Sequence, residues 1–147
     1  MSQPIVSPWP SFEQEEADAV RDVLLSNKVN YWTGCEGRKF ESEFAKWVGT
    51  KYAVALSNGS VALEFALKAL GIGKNSGGND CEEVIVTSRT FLASVSAIVN
   101  VGATPVFVDL DNNSQNITAE TIEPAITKNT KAILTVHLAG WSCEMVP

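Results

Sequence analysis

The chain is 147 residues long, carries a formal net charge of -6, and holds three cysteines and a single histidine. An acidic balance with no basic stripe excludes electrostatic capture of nucleic acid, and one histidine, His137, excludes an imidazole-rich metal site. No basic start is followed by a long apolar run, so neither a membrane span nor a secretory signal is expected; Cys35, Cys81 and Cys143, widely spaced, fit reduced thiols in a cytoplasmic protein.

A Pro-rich start leads to a helix whose entrance, Ser11-Phe-Glu-Gln14, reads as a capping box. A polar loop over residues 27–37 follows, then a second amphipathic helix over residues 39–48. Together they make an amino-terminal helical segment, residues 1–50. From residue 51 to 147 the pattern changes to alternating strands and helices. Tyr52-Ala-Val-Ala-Leu56 reads as a buried strand that stops at Ser57-Asn58-Gly59-Ser60. Leu63, Ala66, Leu67 and Leu70 then give a helix one apolar face, with Asn58 or Ser60 as its cap. Taken alone, this is an ordinary strand-to-helix turn. Its free backbone N–H groups and the helix dipole would nevertheless suit an anion.

The loop over residues 71–80 is rich in Gly, Asn and Ser and is expected to tolerate insertion. Glu83–Thr87, Thr104–Val108 and Lys131–Val136 read as short buried strands, and residues 90–101 and 118–126 as the helices between them. That alternation predicts an α/β unit with a mostly parallel sheet flanked by helices. Ligands in open parallel sheets bind beyond the carboxyl ends of the strands. Ser57-Asn58, Thr87-Ser88, Asp109 and His137 stand at those ends, which predicts one site fed by several strands. Two patterns mislead. Asp109-x-Asp111-x-Asn113 imitates a calcium loop but has Ser114 where a glycine is needed, and is better read as a polar loop capping a helix at Thr118. Gly71-x-Gly73 follows a helix instead of opening one, so it is no dinucleotide fingerprint.

These residues, taken in order, resemble the DegT/StrS-type sugar-nucleotide aminotransferases. The likeness runs through Tyr31-Trp-Thr-Gly34, Phe40-Glu-x-x-Phe44, Ser57–Leu63, Glu83–Phe91, Gly102–Asp109, Asn116-Ile-Thr118 and Thr135–Gly140. It implies the amino-terminal part of the large domain of a fold-type-I enzyme using pyridoxal 5′-phosphate (PLP). By that resemblance Gly59 and Ser60 offer backbone N–H groups to the cofactor phosphate, and Phe91 lies against the pyridine ring; read without it, Phe91 is equally a core residue of a first helical turn. Tyr31, Thr33 and His137 become substrate-side candidates, although His137 can also be a hydrogen-bonded structural histidine. The implied substrates are a nucleotide-linked keto-sugar and glutamate, in cell-surface or secondary-metabolite sugar biosynthesis, with a homodimer as the working assembly. Some relatives are dehydratases.

PLP transamination needs a lysine to hold the cofactor and shuttle its proton. None of the eight lysines stands where the family has it, nor is the carboxylate that pairs with the pyridine nitrogen within the matched region. Complete family members are much longer, so the chain is expected to be an amino-terminal fragment that binds PLP non-covalently at best. The alternative is a catalytically inactive remnant or a phosphate- or nucleotide-binding module.

Overall fold

In the computed structural model, which describes residues 9–145, the chain divides into two units, Met1–Ala55 and Leu56–Pro147. The Pro-rich start lies largely outside the described residues.

The amino-terminal unit holds helices α1 (Gln14–Leu25) and α2 (Glu36–Val48). Glu13 caps α1, its own N–H donating to Glu16 Oε2 at 2.8 Å while its side chain accepts from the N3 backbone. The capping box thus sits two residues later than Ser11 would place it. A carboxylate at this end also faces the positive pole of the helix, which a hydroxyl cannot exploit. Between the helices, Asn30 Oδ1 accepts from the N–H groups of Trp32 and Thr33, both at 3.0 Å, and from Thr33 Oγ1 at 3.1 Å. One amide therefore shapes the whole turn, as Asx residues do. Phe40, Phe44 and Trp47 stack along α2 at 5.7 and 5.8 Å, yet Ala45 is the helix's only buried residue.

Residues 52–56 differ from expectation. They pair with no strand among the described residues, and Tyr52 and Val54 are exposed. Their apolar alternation promised burial, but strand formation needs a neighbouring ladder to satisfy the backbone.

In the carboxy-terminal unit, α3 (Gly59–Ala69) precedes β1 (Glu83–Thr87), α4 (Leu92–Asn100), β2 (Thr104–Val108), α5 (Ala119–Ile122) and β3 (Thr130–Leu134). The strands form a sheet in the order β2-β1-β3, with both pairings parallel. Strand alternation divides the core. Val84 and Val86 of β1 pack on one side with Leu67, Ala97, Ile98 and Val101 of α3 and α4 and the residue after α4. Ile85 points to the other side, against Val108, Ile117 and Ile122. Helices thus cover both faces, as parallel sheets require. The helix expected over residues 118–126 is a single α-turn continued as a 3₁₀ turn, Glu123–Ala125, because Pro124 removes a backbone donor.

The loop over residues 71–80 is not the free surface excursion its composition suggests. Ile72 is buried, the Asn75 N–H donates to Val101 O at 3.0 Å, and the buried Glu82 carboxylate accepts from the Gly73 N–H at 2.7 Å. Gly73 has φ +84°, and a Cβ there would collide with the Val101 carbonyl. Replacing Gly73 with Ala should therefore destabilise the unit by about 1–3 kcal/mol, read as a lower urea midpoint at unchanged slope.

Glu64 ties α3 to α4, accepting from Lys68 Nζ at 2.6 Å and from Asn100 Nδ2 at 3.2 Å. Those hydrogen bonds, Lys68 first, hold its carboxyl below the ordinary range. A depressed carboxyl stabilises the fold above its unfolded pKa, and that contribution is lost as pH falls through the folded value. Asn100→Ala should move the Glu64 titration upward without restoring it to normal, since Lys68 remains. A carbon-detected NMR titration of the Glu64 carboxyl measures this.

Candidate functional site

Two helix starts and one strand exit border a recess of ≈ 720 Å³ in the carboxy-terminal unit. The first wall is the start of α3. Asn58 Oδ1 accepts the Val61 N–H at 3.0 Å, and the Asn58 carbonyl accepts that of Ala62 at 3.0 Å. The N–H groups of Gly59 and Ser60 are left without a protein acceptor among the described residues. A Cβ at Gly59 would meet nothing within 4 Å. The glycine therefore clears the approach to those two donors, a cradle that fits a phosphate monoester at the positive end of a helix.

The second wall is the start of α4. Phe91, its N-cap, is 78 % exposed in this chain and offers a flat apolar face. Beside it, Thr90 Oγ1 and Ser94 Oγ share a hydrogen bond of 2.8 Å. Sequence reasoning passed over this pair; its signal was two hydroxyls one helical turn apart at a helix start. No Asp, Glu, Lys or Arg lines the recess. Its positive potential comes from the backbone, at two helix N-termini.

The third wall is Val136–Ala139, just past β3. His137 Nδ1 accepts the Cys143 N–H at 3.0 Å, and Cys143 Sγ donates to Val136 O at 3.3 Å. The structure thus brings Gly59, Ser60, Phe91 and His137 to one recess. Ser88 and Asp109 are not among its walls. Asp109 Oδ1 accepts from the N–H of Leu110 at 2.8 Å, which occupies it locally.

Tyr31 and Thr33 belong to the amino-terminal unit. Thr33 borders a separate depression of ≈ 580 Å³ with Asp22, Lys28 and Arg38. Tyr31 donates its hydroxyl to Glu41 Oε2 at 3.0 Å, and the Arg38 guanidinium sits 5.4 Å from its ring centre. The hydrogen bond to Glu41, with burial and the Glu41 charge behind it, raises the Tyr31 pKa above its ordinary value. The calcium-loop imitation resolves as read: Asp111 accepts the N–H groups of Asn113 and Ser114, and Thr118 caps α5. Those backbone donors, Ser114 first, hold the Asp111 carboxyl low. Among the described residues no acidic, cysteine and histidine group could hold a metal ion. No helix among them is long and apolar enough to cross a membrane.

Comparison with known proteins meets this geometry. The chain is 44% identical over 140 residues to the GDP-perosamine synthase of Escherichia coli O157:H7, covering 92% of the chain and 35% of that relative. An aminotransferase structure from Psychrobacter cryohalolentis matches with a TM-score of 0.86 at 60% identity, over 93% of the chain and 33% of its own. A GDP-4-keto-6-deoxymannose-3-dehydratase, solved with a trapped PLP-glutamate geminal diamine, matches with a TM-score of 0.76 at 33% identity, over 95% of the chain and 35% of its own. The chain thus spans about a third of the length of these relatives. The solved neighbours are fold-type-I PLP enzymes, so the α/β expectation holds, with the parallel sheet and flanking helices that it named. The model of the DegT/DnrJ/EryC1/StrS aminotransferase family matches residues 10–147, both units included, and the chain belongs to that family.

Proposed function

We propose that this chain forms the phosphate-binding part of a PLP-dependent aminotransferase that moves an amino group from glutamate to a nucleotide-linked keto-sugar, for cell-surface or secondary-metabolite sugars. The observation that carries this reading is the pair of free N–H groups at Gly59 and Ser60 in a recess that also presents Phe91. Bound there, PLP supplies the electron sink that amino-group transfer requires. Gly59 and Ser60 donate to its phosphate, and Phe91 covers one face of its ring and keeps water from it. No lysine lines the recess, so these walls hold the cofactor non-covalently. Residues 1–50 serve as the helical amino-terminal segment and residues 51–147 as the first part of the PLP-binding domain.

The substrate class is supported by the likeness to the GDP-perosamine synthase, and glutamate by the dehydratase solved with a PLP-glutamate adduct. We assign Tyr31 and Thr33 to the substrate side of the assembled enzyme, where a hydroxyl paired with Glu41 and a threonine in a depression that also holds Asp22, Lys28 and Arg38 suit a sugar. Three free cysteines support a cytoplasmic setting. A homodimer is supported by exposed aromatic side chains, Trp32 at 84% and Trp47 at 81% among them.

Gly59→Val should weaken PLP binding by roughly ten- to a hundredfold, the worth of one charge-assisted hydrogen bond of about 1.5–3 kcal/mol. The open space around Gly59 leaves the fold free to accept the β-branched side chain. Ser60→Ala keeps the backbone donor and should bind PLP nearly as wild type does. Calorimetric titration of PLP into each variant checks this, and wild-type affinity in Gly59→Val would remove the turn as the phosphate site. Sedimentation at micromolar concentration should show self-association; a monodisperse monomer would count against the dimer.

A further inference from the structure

We infer that His137 is a binding residue of the recess: the Cys143 backbone N–H locks its imidazole as the neutral Nε2–H tautomer, and Nε2–H donates to an anionic oxygen of the bound ligand. The donor role rests on the PLP reading above; the tautomer does not.

The exit from β3 is a turn folded around this ring. Leu138–Gly140 form a 3₁₀ turn in which Ala139, at φ +53°, occupies the left-handed region that a residue with a Cβ rarely adopts. Gly140 follows at φ +82°. Two successive left-handed residues reverse the chain and return the Cys143 N–H to Nδ1. The turn is fastened elsewhere too. Cys143, itself buried, donates its thiol to Val136 O, and the buried Asn116 donates to Trp141 O at 3.2 Å. A structure that tolerates left-handed backbone at an alanine is held by its surroundings, and such sites invite a functional question.

A backbone N–H donates only to a lone pair, so Nδ1 carries no proton and the neutral ring keeps its proton on Nε2. That Nε2–H has no protein acceptor among the described residues. Thr90 and Ser94 share one hydrogen bond, which leaves one of their hydroxyl hydrogens free; with it, Gly59 N–H, Ser60 N–H, the Ser60 hydroxyl and Nε2–H are donors of the recess without a protein acceptor among the described residues. An array of donors without a carboxylate beside it selects an anionic oxygen. PLP offers two such sources, its phosphate and the phenolate of its ring.

His137 is the only histidine of the chain, so histidine labelled with ¹⁵N reports on it without assignment. In the ligand-free chain Nδ1 should resonate as a bare nitrogen and Nε2 as a protonated one. Cys143→Ala, which keeps the N–H, should leave this pattern unchanged, while Cys143→Pro should release it to a tautomer mixture. If the proline variant does not fold, wild type and Cys143→Ala still decide. Inorganic phosphate, pyridoxal and PLP are then titrated in turn. A shift of Nε2–H with PLP and phosphate assigns the phosphate oxygen as acceptor; a shift with PLP and pyridoxal assigns the ring oxygen. A dominant Nδ1–H form overturns the inference. So does an Nε2–H unmoved by all three probes: if the Gly59 and Ser60 amides still move, only the inference falls, and if they do not, the PLP reading falls with it.

Discussion

The carboxy-terminal unit depends on the burial of β1. Val84, Ile85 and Val86 are each 0% exposed, and among the described residues β1 alone pairs on both of its edges. Burying three such side chains contributes about 1.5–3 kcal/mol each, and the two ladders satisfy the backbone that burial strips of water. Because successive residues point to opposite faces, one strand nucleates both halves of the core. The same strand leads to Thr90 and the start of α4, which line the recess. A cavity in β1 would therefore loosen the recess along with the core.

The recess is built from backbone more than from charged side chains. Helix N-termini carry about half a positive charge each, fixed by the peptide dipoles and independent of any rotamer. Two of them border the recess, where a pair of lysines would have to be immobilised at an entropic cost. Such donors are already oriented before a ligand arrives, the condition for strong binding of a compact anion. The imidazole completes the set in the same manner, since its orientation is imposed by a backbone N–H and a turn. The amino-terminal unit is shaped differently. With Ala45 as its one buried residue among those described, it owes its local form to hydrogen bonds at Glu13 and Asn30 rather than to a core.

Family membership constrains this fold more tightly than it constrains the reaction. An aminotransferase and a dehydratase both match the chain over more than nine-tenths of its length. What they share is the scaffold and a cofactor site, and chemistry is decided by residues placed around such a site. In the function proposed above, Gly59, Ser60 and Phe91 would answer to the cofactor's phosphate and ring, which do not change between the two reactions.

Several features were legible in the residues alone. The three parallel strands, α3, α4 and the Asn58 cap follow from apolar spacing and cap chemistry, which act over a few neighbours. The turn at Gly59-Ser60 was equally visible as small residues between a run of apolar residues and a helix. The tertiary structure decided the rest. It left residues 52–56 unpaired, since a strand exists only where another backbone meets it. Packing against Val101, with the Glu82 carboxylate, closed a Gly-rich loop whose composition suggested freedom. Phe91 was turned outward, and Asp109 was kept from the recess that took His137. Local pattern tells which residues prefer a strand, a cap or a turn. Which residues come to line one recess, 46 residues apart as Phe91 and His137 are, is set only when the sheet closes.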